Sequence, residues 1–286
     1  MANILIAGCG YVGTALGSLL AAEGHTVWGL RRHPAALPPD IRPWAADLTS
    51  PETLQTLPQA VDWVCYSAAP DTHDDTAYRA VYVDGLRNLL NALSLQRIHP
   101  RRVFLTSSTG VYGESSGAWV DETSPTQPAE FGGIRLLEGE RLLLDGPFPA
   151  TVLRLGGLYG PGRASLIEQV RRGEIAWDNA SSVYFNRIHR DDAAGALRHL
   201  MTLPDPEPIY LGVDHEPTTL AVLLDWLAQA LGVPPTRPGE SSKVRTARHP
   251  ADKRCRNAKL VASGYVFRYP TFREGYTALL AEQAGS

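Results

Sequence analysis

The sequence is poor in lysine, in cysteine and in long apolar runs. Its only lysines are Lys243, Lys253 and Lys259, so every fixed positive side chain before them is an arginine. The formal net charge of −3 over 286 residues gives no general reason to approach nucleic acid or an anionic membrane. No apolar run is long enough to span a bilayer, and the N-terminus lacks the basic stretch, apolar core and cleavage site of a secretory signal. We therefore expect a cytoplasmic protein that binds a small molecule, with neither nucleic acid nor membrane as partner.

The cysteines are far apart and form no CxxC pair. Cys9 and Cys65 lie in apolar strand contexts, where buried thiols are common, and we expect them and Cys255 to be reduced and structural. Metal-dependent hydrolysis is disfavoured, because none of the eight histidines stands in an HExxH pattern. A serine hydrolase is disfavoured as well, since the chain has no G-x-S-x-G elbow.

Short apolar runs alternate with helical patterns, an order typical of a parallel sheet covered by helices. We predict an α/β protein with a Rossmann doubly wound parallel sheet flanked by helices and a smaller C-terminal substrate-binding annex. The predicted dinucleotide-binding core covers residues 1–160, and residues 161–286 return to the core around 184–212 and form the annex. The predicted strands are Asn3–Ala7, Thr26–Leu30, Arg42–Ala45, Trp63–Ser67, Arg102–Thr106, Thr151–Leu155 and Pro208–Gly212. The predicted helices are Gly13–Glu23, Thr76–Leu95, Gly132–Leu144 and Leu220–Leu231, and the predicted flexible loop is Pro234–Arg248.

A G-x-G-x-x-G turn follows the first predicted strand and opens directly into a helical pattern. Its glycines are Gly8, Gly10 and Gly13. The first permits the tight turn, the second lets the backbone approach a pyrophosphate, and the third lets helix and strand pack closely. The helix start at Tyr11 and Val12 would present free N–H groups to the phosphates. This pattern predicts a nicotinamide-dinucleotide site.

The second predicted strand ends in Arg31 and Arg32, where an NAD-specific site would place an acidic residue against the ribose 2′-hydroxyl. A guanidinium can bind a 2′-phosphate through two parallel hydrogen bonds, and no carboxylate in the strand end opposes it. The pair therefore favours NADP over NAD as cofactor. The alternative is an exposed basic pair that only solvates a loop.

Further motifs follow the strands in a fixed order. They are Asp47-Leu48, Ser67-Ala68-Ala69, Thr106–Gly113, Leu153–Gly162 and Ile188–Ala194. Together they resemble the extended short-chain dehydrogenase/reductase superfamily, in its NAD-dependent epimerase/dehydratase family. The resemblance runs over nearly the whole chain, and most of the motifs stand at a predicted strand end, where open α/β sheets bind ligands.

The resemblance implies a role for each position. Asp47 would bond the adenine amino group and Leu48 would pack on the base, while Ser108 would supply the catalytic hydroxyl. The further cofactor-binding positions implied are Ser67, Ala68, Ala69, Leu155, Gly156 and Leu158. The segment from His189 to Asp192 would stabilise the connection to the annex, with Asp191 or Asp192 as a helix cap the alternative.

Redox members of this superfamily use a Tyr-x-x-x-Lys pair on the helix after the Ser motif, in which tyrosine moves the proton and lysine holds the nicotinamide ribose. The aligned positions in this chain are Phe131 and Arg135. Phenylalanine has no ionisable group, whereas Arg135 can still bond ribose hydroxyls through a guanidinium of fixed charge. No tyrosine has a lysine four residues later, so another register does not restore the pair.

Other groups could handle the proton, and each has a structural alternative. They are Tyr112, Tyr159, His189 and Glu130. Tyrosines in Val-Tyr-Gly or Leu-Tyr-Gly often only pack a loop, a lone histidine before Asp-Asp is often structural, and a loop carboxylate is often only solvated.

Two functions are therefore compatible with the sequence. One is an NAD(P)-dependent oxidoreductase or epimerase that acts on a small or nucleotide-sugar-like hydroxyl or carbonyl compound through an atypical active site. The other is a catalytically silent NADP-binding sensor or scaffold. The basic stretch Lys243–Arg256 either binds a substrate phosphate or is a solvated loop, and the resemblance implies a homodimer through the two long helices Thr76–Leu95 and Gly132–Leu144 as one arrangement.

Overall fold

The structure is a computed structural model that describes residues 1–175, 183–235 and 252–284. Its strands are β1 (Asn3–Ala7), β2 (Thr26–Arg31), β3 (Arg42–Ala45), β4 (Trp63–Tyr66), β5 (Arg102–Ser108), β6 (Ala118–Val120), β7 (Ala150–Leu155), β8 (Gly157–Tyr159), β9 (Tyr184–Phe185), β10 (Arg187–His189), β11 (Ile209–Gly212), β12 (Thr218–Thr219) and β13 (Lys253–Cys255). Its α-helices are α1 (Tyr11–Ala22), α2 (Asp75–Arg79), α3 (Leu86–Leu95), α4 (Phe131–Leu144), α5 (Ser165–Arg171), α6 (Arg190–Thr202), α7 (Leu220–Leu231), α8 (Ala258–Ala262) and α9 (Phe272–Ala284).

Seven parallel strands form the central sheet, in the order β11-β7-β5-β4-β1-β2-β3. Strand β1 is buried on both faces: Ile4 and Ile6 join the apolar cluster that contains Leu16 of α1, while Leu5 joins the opposite cluster with Leu86 of α3. This alternation follows from the period of two along a strand, and burial of both faces explains the nearly continuous apolar runs. The predicted Rossmann architecture is confirmed.

The chain order reverses beside β1, which lies between β2 and β4. Loops at the carboxyl ends of neighbouring strands diverge at such a switch point and leave a crevice between them. Each strand of the sheet was predicted to within one residue at either end, apart from β5, which extends two residues further than predicted, to Ser108. This extension carries the Ser motif to the rim of the crevice.

The predicted helix Thr76–Leu95 is a continuous helical segment with a π-helical turn, Ala80–Gly85, between α2 and α3. The segment packs against α4. The closest approach is at Gly139, where a Cβ would lie 2.4 Å from the carbonyl oxygen of Tyr82, so only glycine fits there. The two helices thus hold their N-terminal ends side by side at the rim of the sheet.

The C-terminal part returns to the sheet through β11 and surrounds an apolar cluster that includes Ile167, Leu223 and Phe272. Helix α6 is capped by His189, whose Nδ1 accepts from the Asp191 N–H, rather than by either aspartate. Asp192 instead accepts three hydrogen bonds from residues 265–269 and fixes the C-terminal segment. Among the described residues, no helix is both long and apolar enough to cross a membrane.

Candidate dinucleotide-binding site

A groove of about 480 Å³ opens at the carboxyl ends of the central strands. It is lined at one end by residues 30–33 and 46–49, in the middle by residues 8–12 and 67–71, and at the other end by residues 106–108, 155, 156 and 158. Fourteen of the sixteen predicted cofactor-binding residues line it, and the two that do not are Gly13 and Arg135.

Gly8 makes the tight turn after β1. Its φ is +83°, and a Cβ there would lie 2.3 Å from the Ala68 nitrogen. Both the left-handed backbone and the contact with Ala68 require glycine. Ala69 also lines the groove, directly beyond Ala68. Gly13 has a different constraint, because its Cβ would meet the Gly8 oxygen at 2.9 Å, so its role is to seat helix α1 against the turn.

At Gly10, packing within the described residues leaves room for a side chain. A Cβ there would find its nearest neighbour, the Gly8 oxygen, at 3.9 Å. Helix α1 starts immediately afterwards, and its N-terminus has no side-chain cap. Uncapped N–H groups with open space in front of them are suited to a phosphate. The Tyr11 hydroxyl, buried without a partner in the described part of the chain, also lines this stretch.

Arg163 was not predicted to contact the cofactor, yet it lines the groove beside the glycine turn. Its guanidinium carbon lies 4.1 Å from the centroid of the Tyr11 ring. A cation stacked at this distance is held in place while its N–H donors stay available to an anion. The only signal for it in the sequence is an arginine directly after the Gly-Pro-Gly of residues 160–162.

The two arginines at the end of β2 have different surroundings. Arg32 is ion-paired with the exposed Asp71, with Nη2 and Oδ2 2.6 Å apart. Arg31 makes one long hydrogen bond, 3.4 Å, to the carbonyl oxygen of Cys9. Arg31 is therefore the better placed of the two to bind an added phosphate. Asp47 lies across this end of the groove, and its Oδ1 accepts from the N–H and hydroxyl of Thr49.

The other end of the groove carries Ser108. Its Oγ accepts from the Gly110 N–H at 3.1 Å, which leaves the hydroxyl proton free to donate. Leu155 and Leu158 supply apolar walls there. A Cβ on Gly156 would lie 2.8 Å from the Asn186 oxygen, so this glycine lets the strand end approach the neighbouring loop.

Helix α4 turns Leu136, and not Arg135, towards this end of the groove. Arg135 is bound outside it, with two hydrogen bonds of 2.8 and 2.9 Å to Asp75 and two more to Glu138. These carboxylates hold the pKa of the guanidinium above its usual value. Gly132 precedes Leu136 by four residues and so lies on the same face of the helix. Phe131 packs its ring against His73 and Tyr78.

Tyr112 lies in a buried network behind the groove. Its hydroxyl accepts from Arg154 at 2.7 Å, and Arg154 is paired through two nitrogens with Glu140. Glu140 also accepts from Ser107 at 2.5 Å. Burial raises the pKa of the Tyr112 phenol to about 12, so this tyrosine is placed to support strands β5 and β7 rather than to reach a ligand.

Tyr159 and His189 are buried together beneath the Gly-Pro-Gly loop. The Tyr159 ring stacks on Tyr276 with centroids 4.7 Å apart, and its hydroxyl has no partner among the described residues. Burial lowers the pKa of His189, which is only 1% exposed. Glu130, by contrast, is exposed at the start of α4. None of these three side chains lines the groove.

Lys253 belongs to the basic stretch but is buried, and its Nζ donates to the Tyr112 carbonyl oxygen. Arg254 lies against the rings of Trp119 and Tyr184, with distances to the centroids of 5.1 and 4.9 Å. Lys243, Arg245 and Arg248 lie outside the described residues, as does most of the predicted flexible loop Pro234–Arg248. All three cysteines are buried and free, as expected.

Asp214 is a buried carboxyl whose titration should affect stability. Its Oδ1 accepts from the Glu216 N–H, whereas Oδ2 is without a partner among the described residues. Burial raises the pKa of the carboxyl to about 8. The folded state therefore binds a proton that the unfolded state has released, and the free energy of unfolding falls as pH rises from about 4 to about 8.

Over that interval the wild-type free energy of unfolding should fall by on the order of 1 kcal/mol per pH unit because of Asp214, and we expect Asp214→Asn to abolish this contribution. Urea unfolding at about pH 5.5 and about pH 7.5 measures it. Asp40→Asn is the matched control, because Asp40 is an exposed carboxylate in a loop, and it should keep the wild-type slope. If the free energy of unfolding depended on pH equally in wild type and in Asp214→Asn, the buried carboxyl would not have the raised pKa on which this prediction rests.

Comparison with known proteins identifies the family of this chain. The model of the NAD dependent epimerase/dehydratase family matches residues 4–211. A structure from Methylobacillus flagellatus, described as an NAD-dependent epimerase/dehydratase, is 38% identical, covers 99% of both chains and superposes with a TM-score of 0.83. Protein YeeZ of Escherichia coli is 37% identical over 130 residues, 45% of each chain. The 3-diazoavenalumate denitrifying reductase of a Streptomyces species is 26% identical over 96% of this chain and 98% of its own. The chain belongs to the NAD-dependent epimerase/dehydratase family.

Proposed function

We propose that this protein is an NADP-preferring oxidoreductase or epimerase that acts at a hydroxyl or carbonyl carbon of a small or nucleotide-sugar-like substrate. The observation that carries the proposal is Gly10, where a Cβ would have no described neighbour nearer than 3.9 Å and which stands before a helix N-terminus without a side-chain cap in the groove. A bound nicotinamide supplies or accepts the hydride, and the protein supplies orientation and electrostatics.

The residues of the groove divide the task along its length. The N–H groups at the start of α1, with Arg163 beside them, hold the pyrophosphate. Arg31 binds the 2′-phosphate and Leu48 packs on the adenine, while Leu155 and Leu158 exclude water from the nicotinamide end. Ser108 donates a hydrogen bond from its hydroxyl to the substrate oxygen and so orients the reacting carbon.

The preference for NADP is tested by Arg31→Asp. The substitution removes a charge-assisted hydrogen bond and adds repulsion, and we expect the Kd for NADPH to rise about 10- to 100-fold while that for NADH changes little or falls. Fluorescence titration with both dinucleotides measures the change. Arg101→Asp makes the same charge change at the amino ends of the strands, directly before β5, and should leave both Kd values as they are.

The outcomes separate the parts of the proposal. Equal NADPH affinity in Arg31→Asp and wild type would reject Arg31 as the phosphate ligand. Failure of wild type to bind either dinucleotide would reject the proposed function.

A second function, a catalytically silent NADP-binding sensor or scaffold, is favoured by one observation. The described residue of α4 that lines the groove is Leu136, which cannot move a proton. This function predicts tight NADPH binding without consumption of the dinucleotide in the presence of any carbonyl compound.

A further inference from the structure

A tyrosine and a histidine are hydrogen-bonded to each other at the start of the α2 segment. The Tyr78 hydroxyl and His73 Nδ1 are 3.0 Å apart, and the two rings meet edge to face with centroids 5.3 Å apart. The His73 side chain is exposed and Tyr78 is half-buried. The pair thus joins a partly desolvated phenol to a base that exchanges protons with water.

This pair lies beside the helix face that turns towards the groove. A Cβ on Gly132 would lie only 3.1 Å from Cε1 of Tyr78, so the Tyr78 ring fills the space that a side chain at position 132 would need. Leu136, the residue one turn further on that face, lines the groove. Tyr78 therefore occupies the space in front of the α4 position that lies one turn before Leu136.

The ring of Tyr82 connects the pair to the groove. Tyr82 lies one turn after Tyr78, with ring centroids 5.4 Å apart, and it lines the groove together with Ser108. Phe131 closes the other side of the pair, with centroids 5.0 Å from His73 and 5.2 Å from Tyr78. Aromatic contacts on both sides restrict the Tyr78 ring to this position.

The charged groups around the pair are already bound to other partners. Asp74 accepts from Thr72 and from the Ala77 N–H as the cap of α2. Asp75 is paired with Arg135, and Asp71 with Arg32. The tyrosine hydroxyl is thus the hydrogen-bond partner that the described residues offer the His73 ring.

We infer that Tyr78, resupplied by His73, is the proton donor of this site and replaces the missing Tyr-x-x-x-Lys pair. The inference rests on the proposed function. In the reducing direction the Tyr78 hydroxyl gives its proton to the carbonyl oxygen while the carbonyl carbon gains a hydride from the reduced dinucleotide. The products are an alcohol and the oxidised dinucleotide. The phenolate then takes a proton from the His73 imidazolium, which regains one from water.

The electrostatics fit a donor. Burial raises the pKa of the Tyr78 phenol above its ordinary value, so the phenol is neutral and carries its proton at physiological pH. General acid catalysis by a positioned side chain contributes about 10²- to 10⁴-fold in rate.

The first test needs no turnover. In the wild-type protein, NADP⁺ should shift the ¹⁵N resonances of His73, and Tyr78→Phe should shift the His73 Nδ1 resonance because its hydrogen bond is lost. His99 is exposed at the amino ends of the strands, shortly before β5, and should respond to neither change. A His73 resonance that ignores both NADP⁺ and Tyr78→Phe would overturn the inference.

The second test uses NADPH with 9,10-phenanthrenequinone as the carbonyl probe. We expect Tyr78→Phe to lower kcat about 100-fold or more with an unchanged Kd for NADPH. We expect His73→Asn to lower kcat as well, and added imidazole should partly restore it. Tyr210 lies on β11, where its hydroxyl accepts from the Glu207 N–H, and Tyr210→Phe should keep the wild-type kcat.

The outcomes distinguish this inference from the proposed function. Tyr78→Phe with full kcat, or His73→Asn without rescue by imidazole, would reject the donor pair while NADPH binding stands. A protein that binds NADPH, whose His73 resonance does not move with NADP⁺ and which consumes no NADPH with the quinone, would also reject the pair. A protein that binds neither dinucleotide would reject the proposed function itself.

Discussion

Gly8→Ala is expected to destabilise the protein by roughly 2–5 kcal/mol, through left-handed strain and overpacking together. The new methyl group would lie 2.3 Å from the backbone nitrogen of Ala68, at a residue with a φ of +83°. Neither β1 nor β4 can give way, because both are buried in the middle of the sheet. Urea unfolding of the protein without cofactor measures the loss.

Gly10→Ala is the matched variant and should behave in the opposite way. Among the described residues its methyl group has no neighbour nearer than 3.9 Å, so the free energy of unfolding should change by less than about 1 kcal/mol. The methyl group would instead stand in the space assigned to the pyrophosphate, and the Kd for NADPH should rise about 100-fold or more. Wild-type NADPH affinity in Gly10→Ala would contradict that placement of the phosphates.

Glu140→Gln is expected to cost about 3–5 kcal/mol, because it leaves the guanidinium of Arg154 buried without its counter-charge. Glu140 is 1% exposed and Arg154 3% exposed, and their closest atoms are 2.7 Å apart. The amide also changes the acceptor for the Ser107 hydroxyl, which now bonds Oε1 at 2.5 Å. Urea unfolding at neutral pH measures the effect.

The control for this substitution is Glu168→Gln on α5. Glu168 is also paired with an arginine, Arg171, but both side chains are about two-fifths exposed. An exposed pair contributes at most about 1 kcal/mol. If Glu140→Gln destabilised the protein no more than this control does, the buried network would not be the support of strands β5 and β7 that its geometry indicates.

The sheet and the glycine turn could be predicted because their signals are local. Each central strand is an apolar run bounded by turn residues, and Gly8, Gly10 and Gly13 stand at fixed spacing after the first of them. The same is true of Ser108 and Leu155, which end β5 and β7, and of Leu48, which follows the end of β3 by three residues. For these residues, position along the chain is enough to place the side chain at the rim of the sheet.

The helix face on α4 could not be predicted in this way. Successive residues on a helix differ in direction by about 100°, so a shift of one position separates Leu136 in the groove from Arg135 outside it. The His73–Tyr78 pair gave no signal either, because its position beside Gly132 depends on packing between two helices far apart in the chain. Buried networks such as Glu140–Arg154 likewise depend on contacts between distant segments.

The contact between Gly132 and Tyr78 has a consequence for the ways in which this chain can change. A tyrosine placed at position 132 and a lysine at 136 would restore the spacing used by redox members of the superfamily, but the new side chain would collide with the Tyr78 ring, whose Cε1 lies 3.1 Å from where a Cβ at position 132 would stand. Restoration therefore requires a third substitution, at Tyr78. A sequence of single substitutions therefore passes through a protein that has either two phenols competing for this space or none in it.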